Sequence, residues 1–297
     1  MVNITQEELN RVAGYIYDND LSYLTIGADN TTIQIDSNDI VAPFNIDSTN
    51  RNKVDTGSGS LTNNFFKKEW RIVATEPTTQ AANLQSFGVV KTLGTKVTIL
   101  DECDVVTGWT GTGDAASVGT GTPFIEGDAS LVMTKTGTSE KAFGYYKTLS
   151  SQDATDKRLV SCFRSDDDTA LDSTKALRVK YGSDASNYYY KDYSRADITN
   201  SKNTNGWFIR SLEVGTGDMT QVGSPVIASM DYFEISAFTV NATDTITADD
   251  FNFDYIILSN IADSDLLFGY VHPVSFTKDN QGEATVRVTG SVTQDIN

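Results

Sequence analysis

The sequence predicts a mainly β protein with one N-terminal helix, and three observations carry that expectation. Short runs rich in Val, Ile, Tyr, Phe and Thr alternate apolar with polar residues. Clusters of Gly, Ser, Asn, Asp and Thr separate these runs, as the turns of antiparallel sheets require. Only the N-terminal segment repeats apolar residues at helical spacing.

In chain order the helix comes first. Thr5 with Glu8 forms a capping box and Ile4 with Leu9 a hydrophobic staple; Leu9, Val12, Ala13, Ile16 and Tyr17 then line one stripe, which predicts a helix over 6–18. Strands are predicted over 23–26, 65–74, 86–90, 95–100, 130–134, 142–148, 158–164, 176–181, 207–213, 232–240, 253–258 and 284–292. In the last of these, Ala284, Val286, Val288, Gly290 and Val292 alternate with polar positions, so one face is buried and the other solvated. The same two-residue period puts Tyr188 and Tyr190 on one face and Tyr189 on the other.

Charge and composition exclude several functions. The chain has 297 residues, 40 acidic against 23 basic, one His and a formal charge of −17. That length fits about two domains of roughly 100–200 residues, and 39% hydrophobic residues suffice to build their cores, unlike a disordered acidic tail. The absence of a Lys/Arg run excludes nucleic-acid binding, which needs cations to displace phosphate counterions. No apolar run approaches the ~18–20 residues of a membrane span, and the first residues lack the basic and apolar regions of a secretion signal, so neither membrane insertion nor export is expected. Cys103 and Cys162 are too few for a zinc set and are expected as unbridged thiols, pairing only if their strands neighbour one another.

The Gly-rich stretches at 57–60, 111–113 and 119–122 neither precede Lys-Ser/Thr nor open a helix, so they read as turns. His272 stands alone before Pro273, and the 40 acids single out no pair suited to glycoside hydrolysis; no enzyme activity is expected and no cofactor is required. Asp166-Asp167-Asp168 with Asp172 carries the charge of a calcium loop without its spacing and reads as a solvated loop. Tyr188, Tyr189, Tyr190, Tyr193 and Trp207 concentrate beside Asn187 and Asn203. One set of these rings belongs in a core; the exposed set offers flat apolar surfaces with polar edges, which makes Tyr188, Tyr190 and Trp207 the candidate glycan-binding residues.

Longer ordered patterns add a family likeness. Gly108-Trp109-Thr110-Gly111, Glu126-Gly127-Asp128-Ala129-Ser130-Leu131, Ser186-Asn187-Tyr188-Tyr189, Asn205-Gly206-Trp207, Gly223-Ser224-Pro225, Asp231-Tyr232-Phe233 and the closing run 253–258 follow one another through 101–259. This stretch resembles the jelly-roll modules of carbohydrate-binding modules and tailed-phage appendage proteins. Before it, the helix, the strand Tyr23-Leu24-Thr25-Ile26-Gly27, Arg51, the 70–76 strand and Phe87-Gly88-Val89 resemble the anchoring domains of tailed-virus fibre and baseplate-type proteins. The strand pair that ends such domains, here 272–278 and 284–292, follows only after the jelly roll.

The resemblance implies a discontinuous anchoring domain, 1–100 together with 260–297, split by an inserted antiparallel jelly-roll sandwich, 101–259, that folds alone. It further implies a structural virion protein, a tail, baseplate or fibre component assembled in the host cytoplasm. Its implied partners are other virion proteins, further copies of itself that cover open sheet edges, and host-surface polysaccharide. A capsid decoration or head-fibre protein, a carbohydrate-binding protein outside any virion, and a glycan-degrading enzyme are the alternatives. Jelly rolls of this kind often hold a structural calcium where first and last strands meet, which implies Asp101, Asp128 and Asp254 as its ligands.

Overall fold

A computed structural model describes residues 6–15, 23–28, 44, 53–54, 58–62, 65–72, 82–90, 97–203, 205–247, 250–260, 266–278 and 284–291. Helix α1 spans Gln6–Tyr15; the last residues of the expected helix lie outside the described ones. Five strands follow: β1 (Tyr23–Gly27), β2 (Lys53–Val54), β3 (Ser58–Thr62), β4 (Phe65–Ile72) and β5 (Ala82–Val90). Next come β6 (Thr98–Asp101), β7 (Thr110–Gly113), β8 (Gly119–Gly121), β9 (Ser130–Val132), β10 (Ala142–Gln152), β11 (Lys157–Ser165), β12 (Leu177–Asp184) and β13 (Asn187–Tyr193). Helix α2 (Arg195–Ser201) precedes β14 (Trp207–Glu213), β15 (Thr220–Val222), β16 (Met230–Phe238), β17 (Phe251–Asn260), β18 (Leu266–Lys278) and β19 (Ala284–Ser291).

The central strands form a sandwich. One sheet runs β15-β13-β12-β16-β10-β7; the other runs β14-β11-β17-β9-β8, with β6 also paired to β17. All these pairings are antiparallel. Inward residues of the first sheet, among them Val179, Tyr181, Phe233, Ile235 and Tyr145, meet Leu159, Phe163, Phe208, Phe253 and Ile256 of the second in one apolar core. Period-two alternation sets this division on both sheets.

The second sheet is apolar on its other face as well. Val160, Cys162, Trp207, Ile209, Tyr255 and Ile257 point away from the sandwich core and are buried under Leu24, Ile26, Phe44, Trp70, Ile72, Leu84 and Val89. Phe44 lies 5.1 Å from Tyr255 between ring centroids. A register shift between β11 and β17, with Tyr255 at φ +48°, lets Asp254 and Tyr255 avoid the inner core while Phe253 and Ile256 enter it. The covering layer joins the two ends of the chain: β18 pairs β5 in the sheet β18-β5-β1-β2, and β19 pairs β4 in the sheet β19-β4-β3. β6 crosses the expected boundary at residue 100, pairing Asp101 with Ile256 and Thr98 with Leu258.

The structure departs from the sequence expectation at three places. Ser58-Gly59-Ser60, Gly111-Thr112-Gly113 and Gly119-Thr120-Gly121 are strand residues of β3, β7 and β8, because β4, β10 and β9 supply their ladders. Gly113 takes φ +61°, and a Cβ there would lie 2.3 Å from the Ala142 carbonyl oxygen, so glycine is required. A second helix, α2, exists, with a capping box in which Ser194 accepts from the Asp197 amide and Asp197 accepts from the Ser194 amide. Asp168 is not a solvated loop residue: it accepts from Ser165 at 2.6 Å and Thr199 at 2.9 Å, and pairs with Lys202 at 2.6 Å.

Candidate functional site

Among the described residues, no further layer packs on the outer face of the first sheet. Its side chains fall in rows fixed by register. Tyr188 lies across from Gly182, Gly182 from Tyr232, and Tyr232 from Thr148. The next row is Tyr190, Lys180, Glu234 and Tyr146; the third is Asp192, Arg178, Ser236 and Gly144. Tyr188 and Tyr190 are half-buried on this face, while Tyr189 is buried in the core between the sheets.

The rings form two pairs. Tyr188 and Tyr190 sit 6.2 Å apart at 60°, and Tyr146 and Tyr232 stack 5.9 Å apart at 29°. Gly182 allows the first pair to lie close against β12, since a Cβ there would stand 2.5 Å from the Tyr188 Cβ. Cations fix the ring faces: the Arg178 guanidinium lies 4.0 Å over Tyr190 and the Lys180 ammonium 4.9 Å over Tyr188.

Each cation is also matched by a carboxylate. Arg178 donates from Nε and Nη2 to the two oxygens of Asp192 at 2.6 and 2.7 Å, which raises the guanidinium pKa further. Lys180 Nζ lies 2.8 Å from Glu234 Oε1. Glu234 also accepts from the Tyr232 hydroxyl at 2.6 Å and the Ser236 hydroxyl at 2.9 Å. Burial first, and then this bond, push the Tyr232 phenol up, so it stays a donor. The face therefore offers flat apolar rings, fixed hydroxyls and little unbalanced charge.

Trp207 does not belong to this surface. It is 1% exposed, on the sheet face buried under the chain ends, and its removal from the candidate glycan set is a correction to the sequence expectation. The cause is tertiary: β14 lies beside β11 in the covered sheet, whereas Tyr188 and Tyr190 lie in the first sheet. Tyr146, Arg178 and Lys180 replace it at the surface, with Tyr232 and Glu234, both buried, supporting them from beneath. The two-residue period sets Tyr146 opposite Tyr145 and Lys147, and Tyr232 and Glu234 opposite Phe233, but does not say that the three strands adjoin.

The expected acidic trio is likewise not the set the fold gathers. Asp101 accepts from Lys147 at 2.6 Å and from the Cys103 amide at 2.9 Å. Asp254, fully buried, accepts from the amides of Ile125, Glu126 and Tyr255, yet burial pushes its carboxyl well up. Asp128 is exposed and donates its amide to Asp104 at 2.9 Å. Among the described residues, Glu102, Asp104 and Glu126 are the acids with ligand atoms within 4.8 Å of one another. Burial first, then Asp104 and Asp101, raise the Glu102 carboxyl. They flank the loop after β6, beside a surface depression lined by Ile99–Val105, in the region where the sandwich's first and last strands meet. Cys103 and Cys162 are buried, unbridged and in different cores on opposite faces of the second sheet.

No family model matches the sequence, and no curated protein matches it. Among solved structures the chain is similar to the family 11 carbohydrate-binding module of the cellulosomal cellulase Lic26A-Cel5E of Clostridium thermocellum, at 11% identity and a TM-score of 0.38, covering 55% of this chain and 94% of that one. It is similar to the non-crystalline cellulose-specific module CBM28, at 12% identity and a TM-score of 0.34, covering 55% and 93%. An exo-beta-agarase matches at 12% identity and a TM-score of 0.38, over 57% of this chain and 26% of the agarase. No described helix is long and apolar enough to cross a membrane.

Proposed function

We propose that the protein binds an uncharged polysaccharide laid across strands β13, β12, β16 and β10. The supporting observation is the row pattern on this face, with half-buried Tyr188 and Tyr190 at one side, Tyr146 stacked on the buried Tyr232 at the other, and a neutralised Lys180–Glu234 pair between them. Rings of this kind stack on sugar faces, and the hydroxyls at their rims bond to sugar hydroxyls. Four strands place β13 and β10 three spacings of ~4.8 Å apart, about 14 Å, which suits a chain of sugars better than one sugar. An anionic chain meets the Asp192 carboxylate and a lysine already neutralised by Glu234, so charge gives it no advantage.

The test is titration of the whole protein with neutral and uronic-acid polysaccharides. Tyr190→Ala is expected to weaken neutral-glycan binding at least tenfold at unchanged fold. Full binding by both Tyr188→Ala and Tyr190→Ala would reject this face. The structural calcium implied by the resemblance belongs to the proposal too, with Glu102, Asp104 and Glu126 as the carboxylates to test. Virion membership, with docking through the chain ends, is a separate proposal supported by the sequence resemblance, and finding the chain on purified particles would test it.

A further inference from the structure

Lys135 is wholly buried, at 0% exposure, and its nearest bonds are not to a carboxylate. Nζ donates instead to three backbone carbonyls: Gly137 at 2.7 Å, Ala242 at 2.6 Å and Asp244 at 2.8 Å. Asp114 Oδ2 lies further off, at 3.6 Å. These oxygens come from three separate segments: the end of β7, the turn between β9 and β10, and the connection from β16 to β17. The Lys135 backbone joins the last of these too, exchanging bonds with Ile246 at 3.0 Å in both directions.

An ammonium alone with three carbonyls and a carboxylate is the oxygen-only donor set of a hard cation. The cage is built independently of the lysine tip. Asp114 Oδ2 is held by the amides of Ser139 and Glu140, both at 2.6 Å, and those amides, the Glu140 one foremost, keep its carboxyl below the usual range. The Gly137 amide in turn donates to the Asp114 carbonyl at 3.2 Å. Asp244 is fixed by accepting from the Asn241 amide at 2.7 Å. The carboxylate of Asp114 therefore stays in place when the ammonium is taken away, and the turn that carries the Ala242 and Asp244 carbonyls is tied by the Asn241–Asp244 bond and by the Lys135–Ile246 backbone pair.

We propose that Lys135 is a tethered structural cation seated in a hard-cation cage, and that cutting the tether turns this junction into a calcium site. Calcium accepts six to eight oxygens at about 2.3–2.6 Å in flexible geometry; the three carbonyls, at 2.6–2.8 Å from the ammonium, need only a small contraction, the Asp114 carboxylate must close in from 3.6 Å, and water in the room left by the side-chain stem completes the set. Magnesium, which demands near-octahedral contacts at about 2.0–2.1 Å, does not fit three fixed carbonyls spaced for an ammonium.

The experiment is thermal unfolding of the full chain, stripped of metal, in wild type, Lys135→Ala and Lys135→Met, with calcium chloride or magnesium chloride at millimolar concentration. Lys135→Ala is expected to lower Tm by about 10 °C, because a buried, multiply bonded charge is lost. Calcium is expected to restore at least half of that shift and magnesium none. Lys135→Met, whose thioether occupies the space, falls by a similar amount and is not restored by either ion. A folded Lys135→Ala chain with no response to calcium overturns the proposal. An equal response in wild type also overturns it, since the ion then acts elsewhere, for instance at Glu102, Asp104 and Glu126. If the alanine variant accumulates unfolded, the yield on refolding from urea is the readout; calcium raises it, and equal yields with and without calcium refute the cage.

Discussion

Trp207→Ala is expected to cost stability and to leave sugar binding intact wherever the chain remains folded. The indole is 1% exposed and shares a core with Val160, Ile209, Tyr255, Ile257 and, from the covering layer, Leu24, Ile26, Phe44 and Trp70. Its truncation empties the space of an indole, one of the two in this core, between two packed layers. Buried Trp→Ala changes cost about 3–5 kcal/mol. At roughly 2–4 °C per kcal/mol for a large domain, Tm falls by about 6–20 °C. Tyr190→Ala removes a half-exposed ring whose main contact is the Arg178 guanidinium, worth about 0.5–1 kcal/mol at an exposed site, so its Tm moves by no more than about 4 °C. Circular dichroism melts of both variants, with glycan titrations well below either transition, separate the two effects. Loss of binding by Trp207→Ala at an unchanged Tm would refute the reasoning and return Trp207 to the ligand surface.

Other outcomes follow from the same geometry. A fragment covering 98–260 is expected to expose the apolar outer face of the second sheet, so it should bind a hydrophobic dye and make the Cys162 thiol reactive; a soluble, dye-silent fragment with an unreactive Cys162 would show that the cover is dispensable. Glu234→Gln leaves Lys180 without its matching charge and is expected to raise affinity for uronic-acid chains relative to neutral ones, measured on the same panel. Lys141 and the amides of Thr174 and Lys175 hold the Asp172 carboxyl below the usual range, so its stabilisation is present above the unfolded value near pH ~4 and is lost as pH falls through the folded one. Urea midpoints should drop on acidification, and less steeply in Asp172→Asn. Burial of Asp254 acts oppositely, favouring the fold below about pH 4 and losing that contribution as pH rises through its raised value. Gly113→Ala forces a Cβ against the Ala142 carbonyl at positive φ and is expected to cost about 1–3 kcal/mol, read as a lower urea midpoint.

Local period determined a good part of this protein. The start of α1 came from a capping pattern, and alternation placed most of the longer strands as well as the division of Tyr188 and Tyr190 from Tyr189, because the pleat inverts every side chain whatever the strand's neighbours. Short elements escaped for the complementary reason. β7 and β8 consist of Gly and Thr, whose own preferences favour turns, and only the ladders from β10 and β9 make them strands. The Ser194–Asp197 box was legible but marks a helix of seven residues, too short to show an apolar stripe. Which strands adjoin is settled by pairings far apart in sequence, and adjacency decides the sites. It put Trp207 under the chain ends and brought Tyr146 and Tyr232 to Tyr190. It gathered Glu102, Asp104 and Glu126 in place of Asp101, Asp128 and Asp254, and it enclosed Lys135 among carbonyls more than a hundred residues away. A sequence states which faces a strand has; only the tertiary structure states what each face meets, since burial is a property of the neighbours and not of the strand.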